Sequence, residues 1–199
     1  GSEMCIRDSR ISEGIPPSDA KLLVIDYRRQ LLGECPATHL AGYASTKQDV
    51  QEFISQLVPL LESRMPAGVD DPQTLRDRSW WKGPDIFLVV DDYDLVATSS
   101  GNPLQGLLEL LPYGRDIGLH MVVARRCTGF SRTSFEPIMA RLRELHPTIF
   151  LMSGTAEEGI IAGGRKARSL SKGRADVISN QGTHQVVQFA HHVGEEKTE

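Results

Sequence analysis

Residues 86–92 read Ile-Phe-Leu-Val-Val-Asp-Asp, an apolar run that leads directly into two adjacent carboxylates. An uninterrupted run of this kind is typical of a strand buried on both faces of a parallel sheet. Acidic residues at the carboxyl end of such a strand lie where open α/β sheets bind their ligands. This stretch therefore predicts a mainly parallel α/β sheet with Asp91 and Asp92 at its ligand edge.

The sequence on either side alternates between the strand and helix periods. Further buried strands are predicted at 22–27, 117–124 and 148–152. This order predicts strand–helix–strand crossovers and a mainly parallel sheet with flanking helices. Two apolar runs around Ser-Asn-Gln-Gly at 179–182 predict a C-terminal β-hairpin.

Capping residues mark where the helices begin. Thr46 and Asp49 have the spacing of a capping box, and Pro59 is expected to bend that helix or end it early. Asp71-Pro72 predicts a short helix. Two more helices are predicted, one from Asn102-Pro103 to Gly114 and one over 134–145.

Composition excludes several classes of protein. The chain has 199 residues, of which 40% are hydrophobic, and no apolar run approaches the ~18 residues of a membrane span. A net charge of −4 argues against a dedicated nucleic-acid binder, although arginines and lysines crowd the second half. The three cysteines and six histidines lack the spacing of a zinc site or a disulfide framework.

An acid-tipped strand also occurs in phosphate-binding NTPases, where the acid serves a Mg²⁺ ion. From Ala20 to about His192 the chain resembles a C-terminal ATPase domain of EccC, the FtsK/SpoIIIE-type motor of type VII secretion in actinobacteria. The segments that carry the resemblance are 24–29 (Val-Ile-Asp-Tyr-Arg-Arg), 75–81 (Leu-Arg-Asp-Arg-Ser-Trp-Trp), 87–96 (Phe-Leu-Val-Val-Asp-Asp-Tyr-Asp-Leu-Val), 118–126 (Gly-Leu-His-Met-Val-Val-Ala-Arg-Arg), 137–145, and Gly173-Arg174.

The resemblance implies a RecA-like P-loop NTPase core that uses ATP with Mg²⁺ at the cytoplasmic side of the bacterial inner membrane. It also implies tandem ATPase domains, of which this one resembles the last, a possible hexamer, and recognition of the C-terminal signal of WXG100-type substrates. By this resemblance residues 11–193 form the ATPase domain, truncated at its N-terminus, and 194–199 form a polar tail. Residues 3–9 resemble a translated sequencing-adapter string, so residues 1–10 are expected to be irregular or non-native.

The chain departs from the family pattern in ways that bear on catalysis. No Gly-x-x-x-x-Gly-Lys-Ser/Thr phosphate loop (Walker A) occurs in it. Asp92 stands where FtsK-type motors have the catalytic Glu, and a reach error of about 1 Å can cost on the order of 100-fold in rate. Arg125-Arg126 replaces a Thr-Gln sensor; such a cation can stabilise a phosphate or pair with Asp91 or Asp92.

The motifs and the resemblance together give candidate residues for catalysis, for Mg²⁺, for nucleotide and for a protein partner. Asp91 and Asp92 are the catalytic candidates, Asp91 is also the Mg²⁺ ligand through water, and Asp91, Arg125 and Asp26 are the nucleotide-binding candidates. Asp26 ends the first predicted strand and is expected at the same sheet edge as Asp91; its pairing with Arg28 or Arg29 is an equally good interpretation. The partner-binding candidates are Trp81, Leu107, Leu111 and Arg126.

Three functions stay open at this point. The first is an ATP-binding, weakly hydrolysing or non-hydrolysing motor domain. The second is a non-catalytic module that binds an export-signal helix on the apolar positions of 104–111 and 135–145. The third, an FtsK-type DNA translocase domain, is disfavoured by the acidic net charge.

Overall fold

The structure is a computed structural model that describes residues 14–130, 136–179 and 183–189. The predictions for residues 1–10 and 194–199, and for Ser134 and Phe135, lie outside the described residues. The chain divides into two compact units, one within Asp8–Arg125 and the other within Arg126–Glu199. The boundaries of a single domain over 11–193 remain a prediction.

The first unit contains a four-stranded parallel sheet with the strand order β2-β1-β3-β4. Its strands are β1 (Ala20–Ile25), β2 (Leu40–Ala44), β3 (Asp85–Val90) and β4 (Leu119–Val123). The acid-tipped strand is confirmed, since β3 lies between β1 and β4 and ends directly before Asp91. Its interior residues Leu88, Val89 and Val90 are fully buried.

Strand β2 was not predicted from the sequence. Leu-Ala-Gly-Tyr-Ala contains no β-branched residue, so it has a weak strand signal. The strand pairs in parallel with β1, and the absence of a side chain at Gly42 lets the Phe53 ring approach its backbone. A Cβ at Gly42 would lie 2.6 Å from that ring.

The predicted helix starts in this unit are confirmed. Helix α1 (Lys47–Glu62) begins at the Thr46–Asp49 capping box, and α2 (Pro72–Asp77) begins at Asp71. Pro59 does not end α1 early, since the helix continues to Glu62. A four-residue helix, α3 (Tyr93–Val96), follows the acidic edge.

The helix predicted from Asn102 to Gly114 is two short 3-10 helices instead, at Pro103–Leu107 and Leu111–Tyr113. Gly106 is a poor helix former and Pro112 lacks an N–H, so a continuous α-helix is disfavoured over this stretch. The apolar periodicity predicted a buried face correctly, because Leu104 and Leu107 are fully buried.

The second unit contains helix α4 (Pro137–Glu144), a 3-10 turn (Ala156–Glu158) and an antiparallel sheet in the order β5-β6-β7. Strands β6 (Arg174–Ile178) and β7 (His184–Gln188) form the predicted C-terminal hairpin. The assignment of 148–152 to the parallel sheet is wrong: β5 (Ile149–Leu151) pairs antiparallel with β6. A three-residue apolar run carries no information about its pairing partner, so the sequence could not separate these alternatives.

A buried carboxylate joins the long loop before β6 to the β6–β7 hairpin. Asp176 is 2% exposed and accepts two hydrogen bonds from Arg168, at 2.8 Å from Nε and 2.7 Å from Nη2. His184 Nε2 lies 2.9 Å from the same carboxylate. These contacts, led by the Arg168 hydrogen bond, hold the pKa of Asp176 well below its usual range. Within the described ranges, no helix is both long enough and apolar enough to cross a membrane.

Candidate functional site

Three carboxylates lie at the carboxyl ends of the adjacent strands β1 and β3. Asp26 follows β1, and Asp91 and Asp92 follow β3. The two ends are joined by a hydrogen bond from the Asp91 N–H to the Ile25 carbonyl, at 2.9 Å. The structure therefore brings together the acids that the sequence placed at one sheet edge, and we name Asp26, Asp91 and Asp92 the acidic edge.

Asp26 organises the loop that leaves β1. It is fully buried, and its carboxylate accepts hydrogen bonds from the backbone N–H groups of Arg28 and Leu31, at 3.1 and 2.7 Å. The Tyr43 hydroxyl donates a third bond, at 2.7 Å. Asp26 thus binds the backbone of Arg28 and not its guanidinium group, so the geometry favours a loop-forming task over direct ligand contact.

Asp91 is held in a largely water-free position at the end of β3. The residue is 8% exposed, and burial raises the pKa of its carboxyl group. The Asp92 N–H opposes this shift, whereas the negative charges of Asp92 and Asp26 add to it. A carboxylate crowded by other acids in this way gains from a nearby cation, since a positive charge favours its ionised form.

Asp92 adopts a conformation that is uncommon for a residue with a side chain. Its φ and ψ of 44° and 52° are left-handed, and its side chain makes no capping bond to α3 although it occupies the N-cap position. Its carboxylate is turned toward β1, where Oδ2 lies 3.0 Å from Arg28 Nε. Left-handed non-glycine residues are enriched at ligand sites, where local strain is tolerated.

Arg125, which follows β4, lies close to the same loop. Its Nη2 donates to Asp94 Oδ1 at 2.8 Å, so the acid that Arg125 pairs with in the structure is Asp94 and not Asp91 or Asp92. Arg126 is exposed and belongs to the second compact unit. Sequence reasoning missed Arg28 as the counter-ion of Asp92, because nothing in the Arg28-Arg29 pair indicates which side chain turns toward β3.

The Trp-Trp segment lies at the opposite edge of the sheet, before β3 begins. Trp80 donates from Nε1 to the Arg64 carbonyl at 2.7 Å, and Trp81 donates to the Asp116 carbonyl at 2.9 Å. The buried Arg64 guanidinium stacks on the Trp81 ring at 4.2 Å from its centroid. Trp81 is half-buried, so part of its surface is available to a partner.

The two leucines predicted to contact a partner are core residues. Leu107 is fully buried and Leu111 is 7% exposed, because both 3-10 helices turn their apolar sides inward. A surface role for them is therefore corrected to a packing role. In the described residues of the first unit, the most exposed large apolar side chain is Leu32, at 62%.

The donor set of the acidic edge suits Mg²⁺. This ion prefers oxygen ligands and is commonly held by one or two carboxylates together with water and substrate phosphates. Asp91 and Asp92 provide such carboxylates. Among residues 14–130, 136–179 and 183–189 no group of three or more His, Cys, Asp or Glu could form a full protein cage for a metal.

Comparison with solved structures identifies the class. The fold matches two structures from Thermomonospora curvata: EccC ATPases 2 and 3 in complex with a signal sequence peptide, and the cytoplasmic domain of the type VII secretion ATPase EccC. The first has a TM-score of 0.89 and 39% sequence identity, and the match covers 94% of this chain and 34% of that structure's chain. The second has a TM-score of 0.90 and 38% sequence identity, and the match covers 96% of this chain and 22% of that structure's chain. The chain therefore has the RecA-like fold of an FtsK/SpoIIIE-type ATPase domain.

Sequence relatives identify the family. The ESX-4 secretion system protein EccC4 of Mycobacterium tuberculosis is 49% identical over 171 residues, which are 86% of this chain and 14% of that protein. EccC of T. curvata is 40% identical over 181 residues, again 14% of its length. No family model matches the chain. The chain is homologous to an ATPase domain of the EccC proteins of type VII secretion systems, and it spans about one seventh of the relatives it matches.

Proposed function

We propose that this chain is a nucleotide-binding domain of a type VII secretion motor, with weak or no ATP hydrolysis. The acidic edge at the carboxyl end of the central β3, in a homologue of EccC, supports this proposal most directly. When bound, Mg–ATP supplies a phosphoanhydride and a cation that organises its charge. Asp91, with Asp92 beside it, would hold the hydrated cation.

One observation favours weak chemistry over fast turnover. Asp92 is shorter than glutamate, and without nucleotide its carboxylate is paired with Arg28. At this edge the residues that would contact nucleotide are Asp91 and, through its contact with the loop that follows β3, Arg125.

Calorimetric titration with Mg–ATP tests the nucleotide proposal. We expect the chain to bind it, and Asp91→Asn to weaken binding at least about tenfold, because a charge-assisted contact contributes on the order of 1.5–3 kcal/mol. Asp77→Asn, an exposed acid in α2 whose carboxylate accepts from Gln73, is the matched control and should leave affinity unchanged. Equal binding by parent and Asp91→Asn would refute the assignment.

We propose further that the domain recognises the C-terminal signal of WXG100-type substrates. The support is the T. curvata homologue, which was solved with a signal sequence peptide and matches this chain over 94% of its length. Trp81, in the first compact unit, is one candidate contact, and Arg126, in the second, is an alternative candidate that is tested separately. In the longer motor such a domain would lie beside other ATPase domains, with a hexamer as one arrangement, in a complex at the cytoplasmic side of the inner membrane.

Intrinsic fluorescence can test signal recognition, because Trp80 and Trp81 are the two tryptophans of the chain. In a Trp80→Phe variant the emission comes from Trp81 alone. Titration with a WXG100 C-terminal peptide should shift this emission, whereas a scrambled peptide of the same composition should not. Binding detected by calorimetry without any fluorescence change would exclude Trp81 and leave Arg126 to be tested by Arg126→Ala.

A non-catalytic protein-binding module is the second candidate function. The observation that favours it is the Arg28–Asp92 ion pair, which in the absence of nucleotide neutralises a carboxylate that catalysis would need. Peptide binding that is unchanged by saturating Mg–ATP, in a chain that gives no heat with nucleotide, would select this alternative. The DNA translocase interpretation predicts salt-dependent retention on DNA, which the net charge of −4 disfavours.

A further inference from the structure

The contact between Arg28 and Asp92 has the geometry of an exchangeable ion pair. One guanidinium nitrogen, Nε, approaches Asp92 Oδ2 at 3.0 Å, and the Arg28 side chain is 38% exposed. The Arg168–Asp176 pair in the same chain is different, since two nitrogens grip a carboxylate that is 3% exposed. Forked contacts are the stronger kind, whereas single contacts beside water contribute little. Arg28 can therefore leave Asp92 at small cost.

The backbone around this pair is firmly placed even though the side-chain contact is weak. The Arg28 N–H donates to the buried Asp26 carboxylate at 3.1 Å, which fixes the Cα of Arg28 beside β1. Asp92 is anchored between β3 and α3 in its left-handed conformation. When the Arg28 guanidinium releases Asp92, it therefore stays at the acidic edge, where it can contact a bound ligand.

The charge pattern indicates what would displace Arg28. Asp91 and Asp92 are consecutive acids, and Asp91 is buried and crowded by negative charge. A divalent cation neutralises both carboxylates where Arg28 neutralises one. The nucleotide phosphates that accompany the cation carry anionic oxygens, and a guanidinium group binds such oxygens well.

We propose that Arg28 is an exchangeable counter-ion that becomes a phosphate-contacting residue. A divalent cation on Asp91 and Asp92 displaces the guanidinium from Asp92, and the released guanidinium pairs with the phosphate group that accompanies the cation. This proposal rests on the proposed nucleotide function and adds to it a specific anion-binding residue. No covalent bond forms or breaks in the exchange.

The test measures two affinities in the 199-residue chain and in Arg28→Gln. The first is for Mn²⁺ alone, followed by electron paramagnetic resonance of the free ion, and the second is for Mg–ADP, followed by calorimetry. Loss of Arg28 should strengthen Mn²⁺ binding about two- to fivefold, because the guanidinium group no longer competes with the ion for the Asp92 carboxylate and an exposed ion pair contributes little. The same variant should weaken Mg–ADP binding about tenfold, because a charged contact to phosphate is lost. A residue that only maintains the fold would move both affinities in the same direction.

Arg29→Gln is the matched control, with the same change of charge one residue away. The Arg29 guanidinium lies 3.4 Å from the Ser45 hydroxyl and takes no part in the Asp92 contact, so this variant should behave like the parent. Arg28→Lys keeps a cation at the position and should restore most of the parental Mn²⁺ affinity. Circular dichroism of every variant establishes that the fold is retained.

The outcomes separate the two proposals. If the parent binds Mg–ADP and Arg28→Gln matches Arg29→Gln in both titrations, the role of Arg28 is wrong while the nucleotide function stands. If neither the parent nor Arg28→Gln binds Mn²⁺ or Mg–ADP, the acidic edge is not a cation site and both proposals are wrong. Opposite shifts of the two affinities, confined to Arg28→Gln, support the exchange.

Discussion

Replacing Asp26 by alanine should destabilise the chain strongly, because its carboxylate accepts three hydrogen bonds in a buried site. Two of the donors are the backbone N–H groups of Arg28 and Leu31, and the third is the Tyr43 hydroxyl. A buried donor that loses its acceptor costs about 1–3 kcal/mol. The two backbone groups alone give about 4 kcal/mol, a large fraction of the ~5–15 kcal/mol that keeps a typical domain folded.

Two milder variants make this estimate refutable. Tyr43→Phe removes one donor and leaves the carboxylate two partners, so we expect a loss of about 1 kcal/mol. Asp26→Asn keeps the shape of the side chain but places an amide NH₂ group against groups that are themselves donors. This variant should lower the free energy of unfolding by about 2 kcal/mol. Urea unfolding followed by circular dichroism gives all three values. A loss below 1 kcal/mol for Asp26→Ala, or a larger loss for Tyr43→Phe than for Asp26→Ala, would refute the reasoning.

Two further predictions concern a glycine and a buried acid. Gly118→Ala should cost about 2–4 kcal/mol, because φ is +69° and a Cβ there would lie 2.6 Å from both the Trp81 ring and Asp85 Oδ1. Gly33→Ala, at φ +84° in open space, should cost only about 1 kcal/mol, and thermal melts of the pair isolate the clash. The depressed pKa of Asp176 means that its contribution is fully present above about pH 4 and is lost as the pH falls below it. Asp176→Asn should therefore lose about 2 kcal/mol at pH 7 and show a weaker loss of stability toward acid, and an unchanged acid dependence would contradict the assignment.

Much of the fold could be predicted from local sequence signals. The buried run before Asp91 predicted a central parallel strand, and Thr46 with Asp49 predicted the start of α1, because each signal is read from a few neighbouring residues. The edge strand β2 could not be predicted from local sequence, since Leu-Ala-Gly-Tyr-Ala contains no β-branched residue and the pairing of this strand with β1 is a tertiary contact. The pairing of β5 with β6 could not be predicted either, because strand pairing depends on residues that are far apart in sequence.

The candidate site shows the same division. Asp26, Asp91 and Asp92 were predicted to share one edge, because the carboxyl ends of parallel strands meet there. The separate roles of these acids could not be predicted from the sequence. The burial of Asp26 and the contact of Asp92 with Arg28 depend on side-chain directions in the folded chain. Leu107 shows the limit of periodicity: an apolar stripe indicates a buried face, but it does not distinguish the chain's own core from a partner's surface.

Paramagnetic broadening of backbone amide resonances by Mn–ATP tests the acidic edge most directly as a nucleotide site. The fold, the placement of Asp91 and the Arg28–Asp92 contact together predict broadening that is confined to residues 26–29 and 91–94 at low occupancy. Mg–ATP at the same concentration should cause shifts there without broadening. Broadening that is absent from 91–94, or centred instead on the basic stretch 165–174, would contradict the assignment of this edge as the site of the nucleotide and its cation.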